Sequence, residues 1–254
     1  MTKTMPRSEL SKPANDLLKT WWALESEVRE IARDQDPVIA EVADLGFALI
    51  TEGHDVVGQG KWALWEGIFA LAIAQLENTS ASTWELAYAG YYVQARALTR
   101  LMTEYLAVIW YLPSHPEEAM KWNQLAKEPP SAGEILQKVF ASDEESGRNF
   151  LGLRKYLHRF AHQDSVGMLA VYEQGAEPTD LGVNLRARFD QSEFQAVARD
   201  LLVLHGSVVA AMSSWRGDRN ADWKNRVAEY VDRVARLVDA YDERERKKLQ
   251  SAGT

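Results

Sequence analysis

The stretch from Ser82 to Leu112 constrains this chain most. Trp84, Tyr88, Tyr91, Ala95, Leu98, Met102, Tyr105, Ile109 and Leu112 recur at steps of four and three, the spacing of one helix face. Leu86, Val93, Ala97, Leu101 and Val108 lie outside that stripe. A helix apolar on more than one side needs neighbours on several sides. At its usual rise it would run roughly 46 Å. Ser82 with Glu85 reads as a capping box at its start, and Pro113 forbids its continuation. The expected fold is therefore all-α: a single multi-helix bundle around a long central helix over about 82–112.

The rest of the chain supplies the neighbours. Residues 1–12 read as a disordered tail. A helix from about Pro13 to Arg33 carries Leu17, Trp21, Leu24, Val28 and Ile31 on one face. Asp36-Pro37 opens a second helix to about Ile50, with proline at the first helical position. A third is expected from Lys61 to Glu77, with Asn78-Thr-Ser-Ala-Ser as the turn into the central helix. Beyond Pro113, Ser114/Glu117 and Ser131/Glu134 are further capping boxes, for helices to about Lys127 and Ala141. Asp143 caps a helix from Glu144 to His162. Short runs at Met168–Tyr172 and Val183–Phe189, joined by a Gly/Pro/Asp-rich segment, suggest a small β-hairpin or an ordered loop near 166–189. Asp190 and Glu193 cap a helix to about Trp215, and a last helix runs from Ala221 to about Lys248. The chain divides into a single helical domain over 13–248, with an N-terminal subregion (13–78) and a core bundle (82–248), followed by a tail at 249–254.

Composition narrows the function classes. A formal net charge of −8 disfavours broad DNA binding, which needs a basic face, without excluding a local basic patch. The absence of cysteine removes disulfides, thiolate metal sites and cysteine nucleophiles. The longest apolar run, Trp62 to Leu76, contains Glu66 and Gln75 and is shorter than the ~20 residues that span a bilayer. No signal core is visible at the N-terminus. The expectation is a cytoplasmic protein without a membrane span. Gly53, Gly58 and Gly60 are too scattered to cradle a phosphate, and no dinucleotide fingerprint is present, so no cofactor is expected.

Two polar lines cross otherwise apolar helices. Arg96, Arg100 and Glu104 mark the central helix. Arg154, His158 and His162 fall at i, i+4 and i+8 on the helix that ends at His162. Two histidines four apart have metal-ligand spacing, but no third ligand is evident and no metal is expected. The first line reads either as a structural ion-pair network or as a polar pocket that binds an anion through its arginines or works by acid–base chemistry. Burying both lines separately would require two sets of partners, so Glu104 or Arg100 is expected to approach His158 or His162.

Tyr156-Leu-His-Arg-Phe-Ala-His162 resembles the end of the HEPN motif of all-helical bacterial RNases and nucleotide-binding proteins. That motif has an Arg, usually followed by Asn, Asp or His, then a few residues, then His. His158 fills the second position, Arg159, Phe160 and Ala161 the middle, and His162 the last. Leu157 stands where the family has its catalytic Arg and falls on the apolar face with Phe150, Leu153 and Phe160. Arg154 or Arg159 could substitute only in a different geometry. A second match, Arg199-Asp-Leu-Leu-Val-Leu-His205, lies mid-helix with its Arg and His pointing ~120° apart, and reads as core.

The resemblance implies an RNA- or nucleotide-directed protein of a bacterial defence or toxin–antitoxin type, active or decayed. His162, His158 and Arg159 are its candidate catalytic residues; Arg96, Arg100, Glu104 and Arg154 are its candidate binding residues. The alternative is a non-catalytic helical binding or scaffold module. A homodimer through apolar helix faces is the expected assembly.

Overall fold

The computed structural model describes residues 12–58, 63–123, 130–140, 144–161, 172–174, 181–183 and 189–252. The fold is all-α. Its helices are α1 (Lys12–Gln35), α2 (Pro37–Gly58), α3 (Leu64–Tyr88), α4 (Tyr92–Tyr111), α5 (Met120–Asn123), α6 (Ala132–Val139), α7 (Glu144–Ala161), α8 (Gln191–Arg216) and α9 (Ala221–Ala252). The expected tail at residues 1–12 lies outside the described residues apart from Lys12, which begins α1. The last helix runs past Lys248 to Ala252.

The single helix expected over 82–112 is two helices, broken at Gly90. α3 ends in a Schellman motif: the Tyr91 amide bonds the Leu86 carbonyl at 2.8 Å and the Gly90 amide bonds the Ala87 carbonyl at 3.1 Å. Gly90 has φ 80°, a left-handed conformation that glycine adopts without a Cβ clash. The expected turn at 78–82 is instead helical. The hydroxyls of Thr79, Ser82 and Thr83 donate to the carbonyls of Gln75, Asn78 and Thr79 at 2.7, 3.1 and 2.7 Å. Back-bonding of this kind lets a Ser/Thr tract stay in a helix. Neither Ser82 nor Glu85 caps anything; Glu85 pairs with Arg29 of α1.

Local signals hold where nothing overrides them. Ser131 and Glu134 form the expected capping box, with Ser131 N donating to Glu134 Oε2 at 2.8 Å. Asp190 Oδ1 accepts the Glu193 amide at 3.0 Å and opens α8. Ser114/Glu117 does not cap a helix. Leu112–Ser114 and Pro116–Ala119 are 3₁₀ turns around the two prolines, with His115 stacked on Tyr111 at 4.1 Å. Tyr172–Gln174 and Leu181–Val183 pair antiparallel over three residues each. That much pairing does not support the hairpin expected across 166–189 as an element of the fold.

The centre is shared by α4 and α8. α3 packs most extensively against α4, α7 and α6 cover the far side of α4, and α2, α4 and α9 surround α8. Phe194, Val197, Ala198, Leu201, Leu202, Leu204, Val208, Val209 and Met212 of α8 are buried on several sides. Gln191–Arg219 is long and apolar enough to cross a membrane by length and composition, although the apolar run at 62–76 looked the longer in sequence; 67% of its apolar window is buried within the bundle. α9 lays Trp223, Val227, Tyr230 and Val234 against this core, and the Trp223 indole N–H donates to the Leu49 carbonyl of α2 at 3.0 Å.

Candidate functional site

The two polar lines meet along the α4–α7 seam. Arg100 Nη2 lies 2.8 Å from Glu104 Oε1, one turn away on α4. Arg154 Nη2 of α7 reaches the same oxygen at 3.5 Å. One carboxylate is thus shared by two guanidinium groups from two helices, all three side chains being partly exposed. Arg96, two turns back on α4, is buried and takes a different carboxylate. It pairs with Glu193 in the first turn of α8, and its guanidinium carbon sits 4.9 Å from the Phe160 ring centroid. This cation–π contact lets a buried cation rest on an aromatic face rather than on water.

The candidate residues of α7 divide by exposure. Leu157 is fully buried, and Phe150 and Phe160 of the same helix are buried as well, which fixes the phase of the helix. His158 and Arg159 are exposed, with Lys155 and the 40% exposed Tyr156. His162 lies outside the described residues. Arg154 is the α7 side chain that reaches Glu104, and the expected approach of His162 lies outside the described residues.

Sequence reasoning missed the acidic half of this region. Asp200 of α8 is buried and accepts from Arg199 Nη1 at 2.9 Å, while Arg199 Nη2 reaches Asp242 of α9 at 3.1 Å. Burial pushes the Asp200 carboxyl above its ordinary pKa, against the pull of Arg199 and Arg96. Burial likewise raises the Tyr156 phenol, with Arg96 opposing. The pairings of Glu193 with Arg96 and of Arg199 with Asp242 gave no signal in sequence, because each joins two different helices.

The Arg199–His205 match does not form a site. Arg199 faces Asp200 and Asp242, whereas His205 points into the core, fully buried, with its Nε2 against the Ser80 hydroxyl of α3. A second buried polar pair joins α3 to α8: Glu66 accepts from Arg216 and, at 2.7 Å, from the Ala63 amide. Among the described residues no group of three His, Asp or Glu is placed to hold a metal ion. An open depression of about 500 Å³, lined by Glu25, Arg29, Ser82, Glu85 and Tyr91, lies between α1 and the α3–α4 junction, away from the seam.

Comparison with protein-family models, curated proteins and solved structures finds no match.

Proposed function

We propose that this chain is a HEPN-like helical protein that engages RNA or a nucleotide through the basic face of α7 and has lost the family's cleavage chemistry. One observation carries the reading. From Arg148 to Ala161, α7 bears Arg148, Arg154, Lys155, His158 and Arg159 and no carboxylate, and all but Arg154 of these are exposed. On a chain of net charge −8 this is a concentrated cationic footprint, of the kind that attracts phosphate. Burial of Leu157 supports the loss of cleavage, because no arginine can reach solvent from that position. The resemblance sets such a protein in bacterial defence or a toxin–antitoxin pair.

The test is fluorescence anisotropy with a labelled single-stranded RNA. Binding at 50 mM salt should weaken at 200 mM, since each phosphate contact releases counterions. Lys155→Glu/Arg159→Glu should lower affinity at least about tenfold, and the RNA should remain intact on a gel. Absence of binding at 50 mM salt, or equal binding by the double variant, overturns the reading.

The second reading, a scaffold module acting through dimerisation, is favoured by Leu64 and Leu71, which are exposed two turns apart on α3. Sedimentation velocity distinguishes it: a monomer at micromolar concentration excludes that role for this face.

A further inference from the structure

Four helices converge on His205. From α8 its ring meets Ser80 of α3 at Nε2, the Phe47 ring of α2 edge-on at 4.7 Å, and the Trp84 ring of α3 at 6.4 Å. Its Nδ1 faces Gly46 of α2, where a Cβ would stand 2.9 Å away and would also strike the Tyr230 hydroxyl of α9. Gly46 therefore admits two polar atoms into space that any other residue would fill. His205 Nδ1, the Tyr230 hydroxyl and Trp84 Nε1 are all buried with no hydrogen-bond partner among the described residues. Unsatisfied buried polar atoms are uncommon; the imidazole carries one, and two neighbouring side chains carry one each.

We infer that His205 makes the α2–α3–α8–α9 junction an acid-sensitive latch, closed while the imidazole is neutral and opened when it takes up a proton. The neutral ring has one N–H. Placing it on Nε2 lets it donate to Ser80 and leaves a bare lone pair at Nδ1, which costs less than a buried unpaired N–H. Protonation adds an N–H at Nδ1, facing Gly46 and Tyr230, and puts a full charge in the core. No carboxylate among the described residues compensates it. Ser80 and Trp84 are the polar neighbours from α3 and Tyr230 that from α9, while α2 offers Gly46 and Phe47. Asp44 of α2 acts on Tyr88, not on this ring. Burial is the whole cause of the displacement of His205 from the usual 6.5 to about 4.

The sign follows from that displacement. A base whose folded pKa is depressed stabilises the fold above its unfolded pKa, and this stability is lost as pH falls below 6.5 toward 4. The folding constant should fall roughly 120-fold from this group alone between pH 7 and pH 4.

The test compares urea unfolding of the wild type and His205→Gln, followed by tryptophan fluorescence from pH 7 to pH 4. Carboxylates titrate in both proteins, so the difference isolates His205. The wild type should lose about two orders of magnitude more in folding constant; parallel pH dependences overturn the inference. Should the variant not fold, histidine-ring NMR of the wild type decides. One of the five histidines should stay neutral to well below pH 5 and titrate only as amide exchange across the junction accelerates. Five ordinary titrations in an intact fold overturn the latch.

Discussion

Arg154 of α7 reaches across to Glu104 of α4, onto the oxygen that Arg100 already occupies, at 3.5 and 2.8 Å respectively. The seam between these helices is thus centred on a carboxylate with more positive than negative charge around it. Its stability contribution is limited by solvent, because the three side chains are 19–30% exposed.

Glu104→Gln should therefore cost only about 1 kcal/mol. The loss should shrink in high salt, which screens the two arginines left facing each other. Urea midpoints at 50 mM and 500 mM salt check both statements. Adding Arg154→Met to Glu104→Gln should cost less than the two single changes together.

Leu157→Ala should destabilise by about 2–5 kcal/mol, because it opens a cavity between α7 and the core. Leu157→Arg supplies the residue that the HEPN pattern has at this position. It should cost at least as much and produce no nuclease activity, since an arginine there is buried without a partner. Denaturant melts and an RNA gel check the pair of variants. A stable, RNA-cleaving Leu157→Arg protein would show that α7 can rotate.

The Glu66–Arg216 pair is buried on both sides. Arg216→Met should cost about 3–5 kcal/mol by leaving Glu66 uncompensated, whereas Glu66→Gln/Arg216→Met should recover most of that. Burial raises the Glu66 carboxyl, but the Ala63 amide and Arg216 outweigh it and hold the group below the usual carboxylate range. Its stability is accordingly present above the unfolded carboxylate pKa and lost as pH falls through the folded one. The Glu66→Gln protein should show a shallower acid limb in a pH-dependent melt.

Glycine substitutions in helices should diverge by position. A Cβ at Gly152 of α7 meets nothing within 4 Å, so Gly152→Ala should stabilise by up to about 1 kcal/mol through helix propensity. At Gly46 the same methyl strikes Tyr230 and His205, and Gly46→Ala should cost about 1–3 kcal/mol. Tyr230→Phe removes the first obstruction and should restore part of the loss. Thermal melts of the four proteins measure this.

What the sequence reveals here is what is local. The Ser131/Glu134 and Asp190/Glu193 caps are legible because both partners lie within one turn. The apolar face that buries Leu157 follows from its spacing with Phe150 and Phe160. The expected single helix over 82–112 is two helices for the complementary reason. Continuous apolar character conceals the break at Gly90, and a Ser/Thr tract that looks like a turn finds its acceptors one helical turn back. The polar lines on α4 and α7 are visible in sequence, but their partners are not. Arg96 takes Glu193, and Glu104 takes Arg154. Such pairings depend on how helices distant in sequence are docked, and side-chain type says little about that.

The Trp223 indole and the Leu49 carbonyl it holds are separated by 174 positions, and this has a consequence for synthesis. α8 and α9, which both pack on α2, are made long after it. Until they emerge, Leu49 and its apolar neighbours on α2 have no C-terminal cover, although α3 and α4, adjacent in sequence, can already pair. That face of the nascent chain thus stays partly open until α9 has followed α8. A chain that stops short of Trp223 leaves that part of α2 open to chaperones and proteases.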